Sequence, residues 1–379
     1  MRTKVLSSNN PVLQLALEEI GQKLPQTPDF ALLSVCPCYP PENVPSCIES
    51  VLGIDNYVAF NANNAFCNTK ITSTGVTGMF FFFERNASVK AFCCENLPSE
   101  NLEKTLKETT TFLENHKNNL NLVIGDYSSG VFPVLLCELG KELQKKKIKV
   151  SNVCGGIIST PIKNGRPQAG YVFTAGKVIS EGFSIISFSN LEFEIALSTG
   201  IFRRGPVYTI TSGAAFDIYE LDGEPAHYLP ERLLKNVDKK EKEYLWYTPL
   251  AVLNEKEEII TVRTIKDFST GKIEVWAPIE KGEKLKLAFV APEEILKSSE
   301  LLAKEVKTKL PCVEAILDFS CAARQYTLEE KAELEPQLYA QILNAPLFGI
   351  STHGEIAPVN GELKVHNQTS VLVAMKEAL

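Results

Sequence analysis

The feature that most constrains the fold is a strand–helix–strand unit that the sequence presents three times, at residues 31–84, 122–188 and 313–375. In each copy an apolar strand ends in small polar residues, and a helix follows. A second strand then ends in the same way, and two antiparallel strands close the unit. Because strands alternate with helices, the chain is expected to form an α/β fold with internal pseudo-repeats.

The middle copy is the clearest of the three. Its pattern predicts a strand at 122–126, a turn at 127–130, a helix at 133–145, a strand at 150–154 and an antiparallel pair of strands at 171–177 and 182–188. The helix is identified by Leu135, Leu139 and Leu143, because their spacing places them on one face.

The last copy carries stronger local signals. Its strands are predicted at 315–319, 347–351, 362–367 and 370–375. Thr327 and Glu330 have the spacing of a capping box, in which each side chain bonds a free amide at a helix start. Pro336 is expected to kink or restart that helix. His353-Gly354-Glu355 is predicted to be a loop after the second strand.

Further elements lie outside the three copies. Asn10-Pro11 predicts a helix start, and two more helices are expected at 100–118 and 292–309. Residues 192–290 are rich in β-strand signals and contain Asp222-Gly223, a dipeptide that favours a tight hairpin turn.

A charged run at 235–243 is interpreted as a solvated helix or loop, and it indicates a domain boundary between about 190 and 240. The predicted fold class is therefore α/β with α+β character. We expect two interlocked domains of mixed, largely antiparallel sheets flanked by helices.

Composition excludes several classes of function. The net charge of the 379-residue chain is −7, and its basic residues are interspersed with acids, which argues against nucleic-acid binding. The N-terminus has no apolar signal region and no apolar run is long enough for a membrane helix, so the expected location is cytoplasmic without membrane insertion. The cysteines are then expected to be reduced. Without a Walker loop, a Rossmann fingerprint or a zinc-binding spacing, we expect no metal and no enzyme activity.

Motifs in the second half of the chain resemble one known family. Phe319-Ser320-Cys321-Ala322-Ala323-Arg324 resembles a Phe-x-Cys-x-x-Arg element, and Gly354-Glu355-Ile356 resembles a Gly-Glu-Ile signature. His366-Asn367-Gln368-Thr369 is similar to the strand that follows that signature, and residues 209–226 resemble the junction between the family's two parts. By their order and spacing, the chain resembles the FIST family.

The resemblance implies an intracellular sensory module that reversibly binds a small polar ligand, either an amino acid or a small carboxylate. It implies signalling through a partner protein, such as a histidine kinase, a chemotaxis system or a cyclic-dinucleotide system. The implied organisation is an N-terminal helix or extension at 1–28, a FIST N-terminal domain at 29–220 and a FIST C-terminal domain at 221–379. Some family members bind haem and sense nitric oxide, so a haem-based gas sensor is an alternative, with His353 or His366 as the iron ligand.

Candidate ligand-binding residues follow from the ends of the predicted strands, where backbone amides are free. Arg324 is the strongest candidate, because a guanidinium can grip a carboxylate through two parallel hydrogen bonds. An ion pair of Arg324 with Asp318 or Glu355 is an equal alternative, and Glu355 either binds a ligand amine or ties its loop. The full set is expected to converge on one pocket at the domain junction: Asp126, Ser128, Ser129, Gly155, Gly156, Ser159, Thr160, Ser320, Cys321, Arg324, His353, Gly354 and Glu355.

Two other functions stay open at this point. Cys321 with His353 would suit an enzyme with a cysteine nucleophile, although no oxyanion motif or nucleophile elbow accompanies the two residues. A structural scaffold without a ligand is the other alternative. Gly155-Gly156 is too short a signal for a phosphate-binding loop and is interpreted as a site of tight packing.

Overall fold

A computed structural model describes residues 1–97, 101–163, 166–233, 242–269 and 271–378. Its strands are short and strongly apolar, as in Phe30–Val35, where all six residues are buried. Ala31, Leu33 and Val35 contact the helices of the first unit. Phe30 and Leu32 point to the opposite face and join a core shared with the rest of the molecule. A strand of this kind needs cover on both faces, which explains its lack of polar alternation.

The first unit occupies the N-terminal 82 residues. Its elements are β1 (Arg2–Ser8), α1 (Leu13–Gly21), β2 (Phe30–Val35), α2 (Val44–Leu52), β3 (Tyr57–Asn61), β4 (Ala65–Cys67), β5 (Lys70–Thr72) and β6 (Val76–Phe82). A short 3₁₀ helix, Pro41–Asn43, precedes α2.

The second unit repeats this order with a longer connection before its last strand. Its elements are β7 (Ser88–Cys94), α3 (Leu102–Asn115), β8 (Leu120–Gly125), α4 (Val131–Lys145), β9 (Val153–Ile158), β10 (Ile162–Lys163), β11 (Arg166–Pro167), β12 (Tyr171–Thr174), β13 (Lys177–Ser180) and β14 (Phe183–Ser189).

The third unit begins with β15 (Leu191–Ser198) and is interrupted by a β-rich segment, which we call the inserted domain. The inserted domain comprises β16 (Ile201–Ala214), β17 (Asp217–Leu221), β18 (Glu224–Pro225), α5 (Tyr228–Leu233), a 3₁₀ helix (Lys242–Tyr247), β19 (Leu250–Leu253), β20 (Ile259–Arg263), β21 (Ile265–Ser269), β22 (Lys272–Val275) and β23 (Lys284–Val290).

The third unit then resumes with a long helix. Its remaining elements are α6 (Pro292–Lys309), β24 (Ala315–Cys321), α7 (Ala322–Leu328), a 3₁₀ helix (Glu329–Lys331), α8 (Leu334–Leu343), β25 (Leu347–Val359), β26 (Glu362–His366) and β27 (Ser370–Glu377). Pro292 is at the start of α6, with Glu293 and Glu294 in its first turn and lysines in its last turn, a distribution that favours a helix.

The sheet topology shows that the three units share one architecture. Their strand orders are β3-β2-β6-β1, β9-β8-β14-β7 and β25-β24-β27-β15. In each order the first two strands are parallel and the next two pairings are antiparallel. Each unit therefore begins with a strand that the sequence pattern did not include, because β1, β7 and β15 precede the predicted copies.

The units are joined in a cyclic manner. The β4–β5 hairpin of the first unit pairs with the start of β25 in the third. β12 of the second unit pairs with β3 of the first, and the second half of β25 pairs with β9 of the second. Each unit thus lends strands to a neighbour, which interlocks the three units around one hydrophobic core.

The structure confirms the mixed α/β class, with sheets that contain both parallel and antiparallel strands. The helix predicted at 292–309 is α6, the predicted turn Asp222-Gly223 joins β17 to β18, and both turn residues have positive φ, as a tight hairpin requires. The predicted domain limit at 220/221 falls within β17. Residues 235–241 of the charged run lie outside the described residues.

Four local predictions were wrong. Strands 171–177 and 182–188 do not pair, because β12 pairs with β13 and β14 joins β7 and β8. Thr327 is at the end of α7, where its hydroxyl donates to the carbonyl of Ala323, so it forms no capping box. Residues 353–355 are not a loop but part of β25, and β9 begins at Val153 rather than at 150. For the three errors that concern strands, pairing with a distant segment overrides a local signal.

Candidate functional site

A cavity of about 500 Å³ lies between the inserted domain and the body formed by the three units. On the body side its wall includes Cys321, the last residue of β24, together with Asn63 and Pro161, which follow the ends of β3 and β9. Ligands of open α/β sheets bind at such ends, where the chain leaves the sheet. Its wall is formed by Asn63, Pro161, Ile162, Trp246, Thr264, Lys266, Trp276, Cys321, Ala322, Ala323, Tyr326, Thr352, His353 and Asn367.

A β-bulge aims one histidine into this cavity. Thr352 of β25 pairs with Ile158 of β9 and Gly354 pairs with Ile157, so His353 is an extra residue on its strand. Bulges of this kind commonly redirect a side chain beside a functional site. His353 Nε2 lies 3.1 Å from the backbone nitrogen and 3.2 Å from the carbonyl oxygen of Thr160, so the backbone of Thr160 holds the ring in place.

Two aromatic pairs cross the junction, each with one ring from the inserted domain. Trp276 stacks on His353 with ring centroids 5.4 Å apart and an interplanar angle of 10°. Trp246 contacts Tyr326 of α7 with centroids 4.5 Å apart. Tyr127 helps to hold Trp276 in place, because its ring contacts the indole and its hydroxyl donates to the carbonyl of Trp276 at 2.9 Å. The cavity therefore offers several rings on which a flat group could stack.

The inserted domain also supplies the charge of the cavity. Lys266 of β21 is 2.5 Å from a carboxylate oxygen of Glu274, and its Nζ lies 5.2 Å from the centroid of the Trp276 ring. Thr264 lies two residues earlier and also lines the wall. Its hydroxyl is buried and has no hydrogen-bond partner among the described residues.

Asn367 ties the two sides of the cavity together. Its amide nitrogen donates to the carbonyl of His353 at 3.1 Å, and its side-chain oxygen accepts from the backbone N–H of Thr264 at 3.2 Å. Its own backbone N–H donates to Val262 at 3.2 Å. These bonds fix the position of β20 and β21 against β25.

Burial shifts the pKa values of three titratable groups at or beside the cavity. Burial lowers the pKa of His353 to about 4 and raises the pKa of the Cys321 thiol. Burial also raises the pKa of Glu355 to about 8. A cysteine nucleophile needs a thiolate, so a protonated Cys321 beside a neutral His353 gives no support to the enzyme alternative.

The comparisons with known proteins now decide the family. The FIST N domain profile matches residues 29–224, and the FIST C domain profile matches residues 226–358. The chain belongs to the FIST family. FIST domains are considered sensory domains, which agrees with the expected class of function.

Two individual proteins are similar to this FIST chain. An uncharacterized protein of Aquifex aeolicus (strain VF5) is 30% identical over 267 residues, which cover 68% of this chain and 97% of the relative. A chorismatase crystal structure aligns over 98% of this chain and 97% of its own with a TM-score of 0.34 and 7% identity. The second likeness is too low to carry information on fold or activity.

Arg324, the strongest sequence candidate, does not line the cavity. Its guanidinium is fully buried and forms an ion pair with Glu335 of α8. It also donates to the carbonyl of Thr199 at 2.9 Å and to the Ser299 hydroxyl at 3.0 Å. The ion-pair alternative is therefore the observed one, although its partner is neither Asp318 nor Glu355.

Of the remaining predicted residues, Cys321 and His353 line the cavity. Asp126 instead fixes its own loop, since its carboxylate accepts from the backbone N–H of Gly170 at 2.8 Å and from Ser128. The hydroxyl of Ser129 accepts from Val131 at the start of α4. These three residues of the middle unit lie outside the wall.

The other candidates are parts of the sheet and its supports. Ser320 donates to Glu335, while both oxygens of Glu355 are held by Thr352 and Thr369. Gly155, Gly156 and Gly354 lie within β9 and β25, where a Cβ atom on either residue of the Gly155-Gly156 pair would meet a neighbouring strand. The tight-packing interpretation of that pair agrees with this geometry.

Neither histidine fits the haem alternative well. His366 is fully buried, does not line the cavity, and its Nε2 lies 3.1 Å from the carbonyl of Ala357. His353 has its Nε2 held by Thr160 and its ring face covered by Trp276. No group of three or more metal-binding side chains is gathered within the described ranges, and none of the helices described there is long and apolar enough to cross a membrane.

Most of the wall was missing from the residues predicted by sequence. Lys266, Thr264 and both tryptophans come from the inserted domain, which lies outside the repeated unit. One signal could have found two of them. The chain has two tryptophans, and both occur in the β-rich stretch that interrupts the repeat.

Proposed function

We propose that this FIST protein reversibly binds a small carboxylate, amino acids included, in the cavity at the junction and signals through a partner protein. The observation that carries the proposal is the charge of the wall. Lys266 is its cation, and no carboxylate accompanies it among the described lining residues. An anionic ligand would therefore gain an ionic contact with Lys266, which also pairs with Glu274 outside the wall.

The size and chemistry of the cavity support a small molecule. Ligand pockets typically have volumes of about 300–1,000 Å³ and combine apolar walls with a few polar groups. This cavity has about 500 Å³, with rings and a lysine in its wall. Glu274 engages one donor of the Lys266 ammonium, which leaves two donors for a ligand.

The position of the cavity supports a sensory role. A ligand there would contact the inserted domain and the body at once, beside the aromatic pairs that cross between them. Binding would then favour one relative position of the two parts, and a partner that recognises both parts could respond. Signalling proteins such as histidine kinases are the proposed class of partner.

A thermal-unfolding screen tests the proposal with small carboxylates, amino acids and haemin. A carboxylate at a hundred times its dissociation constant should add about 2.7 kcal/mol to the free energy of unfolding, which raises the melting temperature. Lys266→Met should remove the shift. Lys272→Met is the matched control, because Lys272 lies in the same hairpin but pairs with Asp217 away from the cavity.

The other outcomes of the thermal-unfolding screen distinguish the alternative functions. A shift with haemin alone would favour the gas-sensor alternative. A screen without any shift would contradict the binding function and favour a scaffold. A shift that persists in Lys266→Met would place the ligand elsewhere.

A further inference from the structure

We infer that the ligand is an aromatic carboxylate, a flat ring system that carries one carboxylate and no ammonium group. This inference rests on the proposed function and names the class of ligand for the same cavity. Three features lead to it: the rings of the wall, the two remaining donors of Lys266, and the lack of a carboxylate among the described residues of the wall.

The rings favour a flat aromatic group. Trp246, Trp276, Tyr326 and His353 all line the cavity, and they come from both sides of the junction. Trp276 is 8% exposed and already stacked on His353, so it is held in one orientation. Tyr326 is 54% exposed, which leaves much of its ring open to a ligand. Stacked or edge-on ring pairs add binding energy beyond the burial of area, and a saturated ring cannot form them.

The lysine favours a carboxylate. Lys266 lines the cavity, and its pairing with Glu274 leaves two donors of the ammonium for a ligand. A carboxylate has two oxygens, so it can accept from both of these donors.

An ammonium group would find no counter-ion. None of the described residues of the wall is an aspartate or glutamate. The face of Trp276 could attract a cation, but Lys266 already lies 5.2 Å from that ring. A second cation beside Lys266 would meet like charge in a partly desolvated site. Zwitterionic amino acids should therefore bind more weakly than the matching carboxylates.

Isothermal titration with two matched pairs of ligands tests both parts of the inference. The first pair is 2-naphthoate and decahydro-2-naphthoate, which share the carboxylate and the bicyclic frame. The saturated compound is at least as apolar, so burial alone would not favour the aromatic one. We expect 2-naphthoate to bind about three- to tenfold more tightly, the range that one or two ring contacts supply.

The second pair is 3-phenylpropanoate and phenylalanine, which differ in the ammonium group alone. We expect 3-phenylpropanoate to bind at least tenfold more tightly. In Trp246→Leu the preference for 2-naphthoate should fall, whereas Phe202→Leu, at an exposed ring of β16 outside the cavity, should keep it.

The outcomes separate this inference from the proposed function. Equal binding of 2-naphthoate and its saturated analogue would overturn the aromatic class but leave carboxylate binding intact. Tighter binding of phenylalanine than of 3-phenylpropanoate would overturn the exclusion of an ammonium group. Failure of all four compounds to bind would overturn both the inference and the proposed function.

Discussion

At the scale of single residues, the most consequential contact is the buried ion pair between Arg324 and Glu335. Both side chains are almost completely buried, and Ser299, Ser320 and Tyr339 bond the Glu335 carboxylate. The pair joins α7 to α8, and the bond of Arg324 to the Thr199 carbonyl extends it toward the inserted domain. A buried ion pair with satisfied bonds is costly to break from one side.

We expect Arg324→Met to lower the free energy of unfolding by about 3–5 kcal/mol, because Glu335 is left buried without its partner. The double variant Arg324→Met/Glu335→Met should recover part of the loss. Urea unfolding measures both. If Arg324→Met had normal stability but no longer bound a carboxylate, Arg324 would be a ligand-binding residue and the structural role would be wrong.

Glu355 predicts a pH dependence of stability. Burial raises its pKa to about 8 from the ordinary value of 4.5, so between these values the folded state holds a proton that the unfolded state has lost. This contribution to stability is complete at low pH and is lost as the pH rises toward about 8. A tenfold difference in proton affinity between the two states corresponds to about 1.4 kcal/mol.

Glu355→Gln, which resembles the protonated side chain, should therefore lose less stability than the native protein between pH 5 and 8. Urea unfolding at several pH values measures the slope. The exposed Glu330→Gln should keep the native slope. An unchanged slope in Glu355→Gln would show that Glu355 ionises normally in the folded protein.

At this scale, a residue could be predicted from the sequence where its position follows from a strand end. Cys321 and His353 both lie in the wall of the cavity. Cys321 is the last residue of β24, as a strand end predicts, whereas His353 reaches the cavity through a bulge within β25 that no local pattern indicated. The role of Arg324 was wrong, because the burial of an arginine and the position of Glu335 eleven residues later depend on how α7 packs on α8. Lys266 gave no local signal, since its role depends on the docking of the inserted domain.

At the scale of elements, β25 is the strand that organises the site. It pairs with β24 and β4 along its first half and with β9 and β26 along its second half. His353 bulges out at the point where the partners change. The Gly354-Glu355 sequence indicated a loop, and the pairing of four other strands with β25 explains why the residues remain extended.

Gly155 of β9 pairs with Val123 of β8, and the close contact between these two strands leaves no room for a side chain. Its φ of +150° is unusual for other residues, and a Cβ atom would lie 2.0 Å from the carbonyl oxygen of Val123. We expect Gly155→Ala to lower the free energy of unfolding by more than about 3 kcal/mol, because neither paired strand can move away. Urea unfolding measures the loss.

Gly176→Ala is the control for this prediction. Gly176 also has positive φ, at +65°, but a Cβ atom there would meet nothing within 4 Å. Gly176→Ala should lower the free energy of unfolding by about 1 kcal/mol, because only the backbone conformation is unfavourable for alanine. Equal losses in the two variants would contradict the close approach of β9 to β8.

At the scale of the whole molecule, the repeated unit explains how much of the fold could be predicted. The apolar strands and helices of each copy are local patterns, and they were recognised. The leading strands β1, β7 and β15 and the cyclic exchange of hairpins are not local, because they depend on pairing between distant segments. The inserted domain interrupts the third unit and carries half of the site. Its docking could not be predicted for the same reason.

The central claim is that a small carboxylate binds in the cavity between the inserted domain and the body. Both tryptophans of the chain line that cavity, so the intrinsic fluorescence of the protein reports on it. Titration with 3-phenylpropanoate should change the tryptophan emission in a saturable way, and Lys266→Met should abolish the change. If the compound raises the melting temperature but leaves the emission unchanged, it binds elsewhere and the claim is wrong.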